Sequence, residues 1–331
     1  MREGAPARDG TTVHARRRVR ALLAVLVTAA VVVPLTAAVR PRIPAPAPAD
    51  LAPVTASTLE GAYAANRANA ALAARMAAGH GDRHRASADR ALARPSRRLL
   101  SFDGRGSGRA AEVFGDLPHA RHVAVLVPGS DTSLDTYERL HAAAVSLRRA
   151  LARQGPAGTG TAVIAWLGYT TPGTVSTTAL TPDRADEAAP DLRDLVSTTR
   201  RIAGPDTRIT LLCHSYGSVV CGRAADRLDV AELVLLASPG TGRDSAADLG
   251  TRARVWAARG GGDWVAEVPH ADVGLFGTTI GFGRDPLSPA FGARVFSAGD
   301  GGHSDYFQPG SICLANVVRI VLGRTGEVTR G

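Results

Sequence analysis

RITLLC at 208–213, HSYGS at 214–218 and VVCGRAADRL at 219–228 form the stretch that decides the fold. The first run is apolar and bounded by polar residues, which predicts a buried strand, and the last run predicts a helix. Ser215 lies in the sharp turn between them. A serine on a tight strand-to-helix turn has its hydroxyl lifted off the sheet, so the pattern predicts a nucleophile.

The residues around Ser215 depart in one position from the usual G-x-S-x-G signature of such a turn. Gly217 keeps the second glycine, whereas Cys213 replaces the first. Both positions must be small because the turn is crowded, and cysteine is small enough to fit. Two alternatives stay open here: a purely structural serine in a tight turn, and Cys213 itself as the nucleophile.

Apolar runs like the one before Ser215 recur through the second half of the chain. They are HVAVLVP (122–128), TAVIAWL (161–167), RITLLC (208–213), AELVLLAS (231–238), ARVWAA (253–258) and ARVFSA (293–298). Helical segments are predicted between them, near 133–153, 191–203, 216–228 and 306–323. Strands that are apolar on both faces and alternate with helices predict a doubly wound, mostly parallel α/β sheet covered on both faces. Ligands of such sheets bind at the carboxyl ends of the strands.

A serine hydroxyl needs a base, and histidine suits this role because its pKa lies near neutral pH. His303, in the glycine-rich segment AGDGGHSDYF, is predicted as the base because it follows the last strand. His270 is the alternative, in a loop after the preceding strand. The other seven histidines precede Ser215 and are interpreted as surface, flanking or packing residues.

Asp263 is predicted as the acid that orients the histidine. It follows the strand ARVWAA and three glycines. Four other acids lie in the same part of the chain and stay open as alternatives: Glu267, Asp272, Asp285 and Asp300.

The oxyanion that forms during acyl transfer needs two N–H donors held in place. Tyr216, the residue after the nucleophile, is predicted to supply one of them. Ser130, in the loop after HVAVLVP, is predicted to supply the other. Asp131 would then orient that loop.

The first 39 residues are predicted to be a signal peptide or a membrane anchor. Arginines at 16–18 and 20 precede the uncharged run ALLAVLVTAAVVVPLTAAV, residues 21–39. The run is long enough to span a bilayer, and the arginines would stay in the cytoplasm. The protein is therefore expected to be secreted, or anchored to the outer face of the cytoplasmic membrane.

Composition and local patterns divide the remainder of the chain. Residues 40–56 are a Pro/Ala-rich linker, 57–96 a helical extension, and 97–325 the α/β domain. Two short apolar runs around Gly104–Gly108 predict an edge hairpin in that domain.

Charge and composition narrow the function classes. The net charge is +9, but residues 1–42 hold eight arginines and two acids, so the α/β domain is only mildly basic and no nucleic-acid partner is expected. No cofactor or metal is expected, and the protein is predicted to be a monomer. Three cysteines (Cys213, Cys221 and Cys313) permit at most one disulfide, and three buried thiols are the alternative.

The sequence resembles a bacterial α/β-hydrolase family of largely uncharacterised function, similar to lipases and esterases. The matching segments are HVAVLVPGSDTS, AVIAWLGYTTP, CHSYGS, LLASPGTG, RVWAARGGGD and GGHSDYF, within about 99–322. The resemblance implies the α/β-hydrolase fold and a Ser215–Asp263–His303 triad.

The function expected from this pattern is hydrolysis of a small or medium acyl ester. The loops Gly168–Pro190 and Pro269–Pro289 are expected to shape the substrate pocket. Two alternatives stay open: acyl transfer to a cell-envelope alcohol by the same triad, and a catalytically inactive binding domain on the same fold.

Overall fold

The structure is a computed structural model, and it describes residues 43–155, 160–174, 182–268, 273–275, 278–280 and 282–331. The predicted signal or anchor segment, and His270 and Asp272, lie outside the described residues. In the described part of the chain, no helix combines the length and the hydropathy needed to cross a membrane.

The predicted apolar runs all contain strands, and two further short strands lie in the segment 269–289 that was predicted to be a loop. In chain order the strands are β1 (Leu99–Asp103), β2 (Arg109–Gly115), β3 (His122–Val127), β4 (Thr161–Leu167), β5 (Arg208–His214), β6 (Glu232–Leu236), β7 (Arg254–Ala258), β8 (Val273–Leu275), β9 (Thr278–Ile280) and β10 (Arg294–Val295). Within the described residues, eight of them form one sheet in the order β1-β2-β4-β3-β5-β6-β7-β10, and β8 pairs only with β9.

Strand direction in the main sheet is parallel from β4 to β10. Only β2 runs against its neighbours, pairing antiparallel with β1 and with β4. The predicted edge hairpin is present, with Asp103 opposite Arg109. The predicted doubly wound, mostly parallel sheet is therefore confirmed.

Helices cover both faces of this sheet. They are α1 (Leu59–Gly79), α2 (Arg83–Leu92), α3 (Tyr137–Gln154), α4 (Asp183–Ala203), α5 (Gly217–Ala224) and α6 (Ile312–Val321). Alternate residues of β3 enter different cores, because side chains along a strand point to opposite faces. Val123 packs in the core with α4 and α5, whereas Ala124 packs in the core with α3 and α6.

Two helix boundaries differ from the sequence predictions. α4 begins at Asp183 rather than near 191, and it contains Pro190. A proline inside a helix is unfavourable, but the buried Ala185 and Ala188 extend the apolar face of α4. α6 begins at Ile312 rather than near 306, because the side chain of Ser311 caps it by accepting from the Leu314 N–H.

The two N-terminal helices are fixed to the sheet by buried polar contacts. The Asn66 amide donates to the Leu99 and Leu100 carbonyls of β1, at 3.0 Å each. On α2, Arg85 is 2% exposed and forms a salt bridge with Asp135, just before α3. Residues 43–331 thus form one compact unit.

Candidate active site

Ser215 lies at the junction of β5 and α5 in a strained backbone conformation. Its φ is 54°, a left-handed value that costs a residue other than glycine about 1 kcal/mol or more. Its N–H donates to the Leu236 carbonyl at 2.9 Å, and the residue is 8% exposed. The sharp turn predicted from the sequence is present, and neighbouring main chain holds it in place.

Two glycines make room for this turn. A Cβ on Gly129 would lie 2.5 Å from the Ser215 Cβ, and a Cβ on Gly217 would lie 2.5 Å from the Val127 carbonyl oxygen. Contacts this short are incompatible with any side chain. The loop after β3 therefore packs directly against Ser215, and the start of α5 packs against the end of β3.

Cys213, which replaces the usual first glycine, forms a disulfide with Cys221. The bond joins the end of β5 to α5, eight residues further along the chain, and both residues are fully buried. Cys313 is a buried free thiol. The sequence left this pairing open, and no local signal in it distinguishes a disulfide from packed thiols. A disulfide-bonded sulfur has no thiolate, so the alternative of Cys213 as the nucleophile is wrong.

Asp263 and His303 are in contact although 40 residues separate them in the sequence. Asp263 follows β7, His303 follows β10, and His303 Nδ1 lies 2.9 Å from Asp263 Oδ1. The loops that carry them are also joined through the main chain, since the Gly261 N–H donates to the Gly299 carbonyl. Because Nδ1 bonds the carboxylate, Nε2 is the ring nitrogen left to face a reacting group.

The Asp263 carboxylate is buried and ionised. Burial opposes its charge, but hydrogen bonds from His303, Tyr306 and the Val265 N–H outweigh this effect and hold its pKa below the usual range. At 3% exposure the carboxylate is shielded from solvent, so these donors are its main source of stabilisation.

Tyr306 is a site residue that the sequence analysis missed. Its hydroxyl donates to Asp263 Oδ2 and accepts from the Gly260 N–H at 3.0 Å. Its position in GGHSDYF, three residues after His303, was visible in the sequence, but nothing there indicated its direction.

His214 is the second missed residue, because its sequence position before Ser215 suggested only packing. Its Nε2 lies 2.7 Å from the His303 carbonyl oxygen, so Nε2 carries the proton and donates. Burial, together with the neighbouring His303, lowers the pKa of His214 to about 4. A neutral His214 therefore fixes the main chain of the loop that presents the His303 ring.

Ser215 and His303 line one cavity of about 1060 Å³, together with Ser130 and Trp264. The Trp264 ring lies 4.7 Å from the His303 ring, centroid to centroid. In the described part of the chain, the Ser215 hydroxyl makes no hydrogen bond to His303 or to any other residue. Such bonds are often long in unliganded sites and shorten when a substrate binds.

The two residues predicted to bind an oxyanion flank Ser215. Tyr216 immediately precedes α5, and the N–H of Ser130 donates to no acceptor among the described residues. The loop that holds Ser130 is fixed by Asp131, whose carboxylate accepts from the Thr174 N–H at 3.1 Å. Asp131 thus orients this loop, as the sequence analysis considered.

The competing acids that the structure describes do not reach the histidine. Glu267 and Asp300 are exposed. Asp285 is instead paired with Arg259, 3.0 Å away. Of the candidate acids within the described residues, only Asp263 contacts His303.

Similarity to known proteins agrees with this topology. A family model described as "Alpha/beta hydrolase" matches residues 103–273, about half of the chain. Among curated relatives, "Uncharacterized protein Rv2079" of Mycobacterium tuberculosis is 30% identical over 255 residues, which cover 66% of this chain and 37% of that protein. "Uncharacterized protein Rv0963c" of the same species is 32% identical over 179 residues, covering 50% of this chain and 66% of that protein. The chain thus spans little more than a third of the length of the first relative.

Solved structures with a similar chain course include two hydrolases. One is a serine hydrolase without a lid from Xanthomonas campestris, with a TM-score of 0.43 and 20% identity, covering 70% of this chain and 95% of that chain. The other is the esterase PE8, with a TM-score of 0.43 and 16% identity, covering 64% of this chain and 97% of that chain.

Proposed function

The chain belongs to the alpha/beta hydrolase family, and from this premise we propose that it is a serine hydrolase that cleaves a carboxylic ester through an acyl-enzyme. The observation that carries the proposal is the contact between the buried Asp263 and His303, because His303 lines the same cavity as the strained Ser215. In this proposal Ser215 is the nucleophile, His303 the general base and Asp263 the residue that orients the base.

The first half-reaction forms the acyl-enzyme. Ser215 Oγ attacks the ester carbonyl carbon while His303 Nε2 takes the hydroxyl proton, and a tetrahedral oxyanion forms. The N–H groups of Ser130 and Tyr216 stabilise the oxyanion. The carbon–oxygen bond to the alcohol then breaks, and His303 Nε2 returns the proton to the departing alcohol oxygen.

The second half-reaction uses water in place of the alcohol. His303 takes a proton from water as the water oxygen attacks the acyl carbon, and the returned proton releases Ser215 with the carboxylic acid. Asp263 stays ionised throughout and stabilises the imidazolium that forms in each step. Tyr306 keeps the carboxylate in position through the other oxygen.

The shape of the cavity supports a medium-length acyl ester. The cavity runs along α3, from Arg139 past Ala143 to Arg153, and Phe307 and Pro309 also line it. At 1.5 Å per helical residue this face is about 20 Å long. Its middle part is largely apolar, so we propose that the acyl chain lies there.

Export from the cytoplasm is part of the same proposal. The arginines at 16–18 and the apolar run 21–39 support it, and so does the Cys213–Cys221 disulfide, because such bonds persist in oxidising compartments. Alkaline phosphatase fused after residue 56 should be active in a bacterial host. An inactive fusion would contradict export.

A fluorophosphonate probe tests the proposed nucleophile. The wild-type protein should be labelled and should hydrolyse p-nitrophenyl esters, whereas Ser215→Ala should lose labelling and about 10⁴-fold or more in kcat. Ser304→Ala is the matched control, because Ser304 lines the same cavity and should stay labelled and active.

The other outcomes separate the remaining functions. Labelling with turnover only when an alcohol is added would identify an acyltransferase. No labelling and no turnover would favour the inactive binding domain and contradict the proposed hydrolase.

A further inference from the structure

A second cavity, of about 790 Å³, lies beside α1, β2 and α3 and is unusually rich in arginine. We call it the arginine cavity. Its charged lining consists of six arginines, three glutamates and one histidine: Arg67, Arg94, Arg97, Arg98, Arg148, Arg149, Glu60, Glu112, Glu138 and His141. The arginines therefore exceed the glutamates by three, in a chain whose α/β domain is only mildly basic.

Two of the three glutamates in the cavity form ion pairs with the same arginine. Arg97 is 4% exposed and lies 2.8 Å from Glu112, and it also pairs with Glu138. Glu60 is the only acid in the lining that remains for the other five arginines. The two glutamates that pair with Arg97 are thus not available to neutralise the other five arginines, which carry the excess positive charge.

Two of these arginines are held in place by the main chain. Arg67 donates to the Arg97 carbonyl at 3.0 Å, and Arg98 donates to the Gly115 carbonyl at 2.8 Å. Neither bond neutralises a charge, because a carbonyl oxygen carries only a partial charge. These guanidinium groups are therefore held in place, and their charges are available to an anion.

Arg148 adds to the positive charge of this cavity that no acid neutralises. Its Nε is buried and has no acceptor in the described part of the chain, where Arg148 also forms no salt bridge. Gly115, with a φ of 104°, makes room for it, since a Cβ there would lie 2.7 Å from Nε. A buried donor without an acceptor is costly, and more so on a charged group.

We propose that the arginine cavity binds a phosphate group. Guanidinium groups form paired, charge-assisted hydrogen bonds with phosphate oxygens. A phosphate presents several oxygens in different directions, so one phosphate can accept from more than one of the arginines that line this cavity, among them Arg94 and Arg148. The group can belong to a small soluble phosphate compound or to an anionic lipid headgroup, and both present the same oxygens.

The arginine cavity adjoins the cavity at Ser215 but has its own lining. The two share His141, Val145 and Arg149, whereas Arg94 and Arg148 line only the arginine cavity. The proposal goes beyond the proposed ester hydrolysis and does not depend on it. Changing Arg94 and Arg148 should leave turnover of a simple ester unchanged.

The test is a titration of the full-length protein with inorganic phosphate, followed by calorimetry, at low ionic strength. The wild type should bind, and R94Q/R148Q should bind at least about tenfold more weakly, the loss expected for one charge-assisted contact. R75Q/R252Q is the matched control, because both arginines are exposed and line neither cavity. R94Q alone should also weaken binding. Because Arg94 is exposed, this single substitution should leave the fold intact, so that the loss of binding can be assigned to the lost guanidinium group.

A second arm distinguishes the sources of the phosphate. Cosedimentation with phosphatidylcholine vesicles, with and without phosphatidic acid, should show an increment from phosphatidic acid that R94Q/R148Q loses if the ligand is a headgroup. Binding of inorganic phosphate without that increment would assign a soluble ligand. No binding in either arm, or equal binding by R94Q/R148Q and the wild type, would overturn the proposal.

Discussion

The turn at Ser215 and the loops that carry Asp263 and His303 are held in place in different ways. Around Ser215, the main chain of two neighbouring segments leaves room only for glycine at 129 and 217, and the Cys213–Cys221 disulfide joins the strand to the helix. Around His303, polar side chains do the same work, since Asp263 and Tyr306 bond between two loops and His214, at the end of β5, bonds to the His303 carbonyl.

The position of Ser215 is therefore controlled by steric contacts, whereas the orientation and charge of His303 are controlled by polar contacts. A larger side chain at position 129 or 217 is expected to displace Ser215, because the surrounding main chain leaves no space for it. A change near His303 is expected to leave the backbone in place and alter the charge and orientation of the ring. Four variants test this contrast, and they are described in order of decreasing expected effect.

Asp263→Asn is expected to have the largest effect on the acid–base side. An amide in place of the carboxylate removes the charge that stabilises the imidazolium and favours the wrong ring tautomer, so kcat should fall about 10⁴-fold with the fold intact. Steady-state kinetics and circular dichroism check this. Asp300→Asn, at an exposed position of the facing loop, should retain full activity, and equal losses in the two variants would refute the assignment.

Gly129→Ala tests the steric side. The added Cβ would lie 2.5 Å from the Ser215 Cβ, so the turn must shift, and a shift of about 1 Å costs on the order of 100-fold in kcat. In Gly61→Ala the added Cβ would have no neighbour within 4 Å, and activity should not change. Wild-type kcat in Gly129→Ala would show that the turn is not sterically constrained.

Tyr306→Phe should have an intermediate effect, of about tenfold in kcat, because Asp263 keeps two of its three donors. Loss of a hydrogen bond to a charged group should also cost about 1.5–3 kcal/mol of unfolding free energy. The bond helps to lower the pKa of Asp263. The difference in unfolding free energy between the wild type and Tyr306→Phe should therefore be largest above about pH 4, the ordinary pKa of aspartate. It should decrease as the pH falls below that value and Asp263 becomes protonated.

Tyr169→Phe is the control for that pH dependence. The Tyr169 hydroxyl donates to the Pro128 carbonyl at 2.6 Å, and a carbonyl does not titrate in this range. Its stability loss should therefore stay constant across the same interval. A constant difference for Tyr306→Phe as well would mean that the hydroxyl does not act on the charge of Asp263.

Removing the disulfide with Cys213→Ala/Cys221→Ala should have the smallest effect on catalysis. Glycines 129 and 217 still confine the turn, so kcat should change by less than about threefold, while the unfolding free energy should fall by roughly 2–3 kcal/mol for a loop of this length. Chemical denaturation and ester assays on one preparation measure both. A large loss of kcat would show that the disulfide, rather than the glycines, positions Ser215.

The sequence was sufficient for the features that depend on local pattern. The buried strands, the turn at Ser215 and the order of Asp263 and His303 follow from apolar runs and from the topology that those runs require. The contact between Asp263 and His303 is present as expected, and their catalytic roles stay predictions.

Features that depend on contacts between distant loops could not be predicted. The contacts of Tyr306 and His214 became visible only once the loop that carries His303 was placed against the Asp263 loop and the end of β5. The start of α4 was missed because tertiary burial of Ala185 and Ala188 outweighed the local effect of Pro190. The disulfide could not be predicted because it requires the end of β5 to lie close to the second turn of α5, a distance that the sequence does not give.

The most direct measurement is the position of His303 Nε2 in a crystal structure of the fluorophosphonate adduct. We expect phosphorus bonded to Ser215 Oγ, with Nε2 within about 3.2 Å of that oxygen. A probe attached to another residue, or an imidazole that stays beyond hydrogen-bonding reach of the labelled serine, would contradict this expectation.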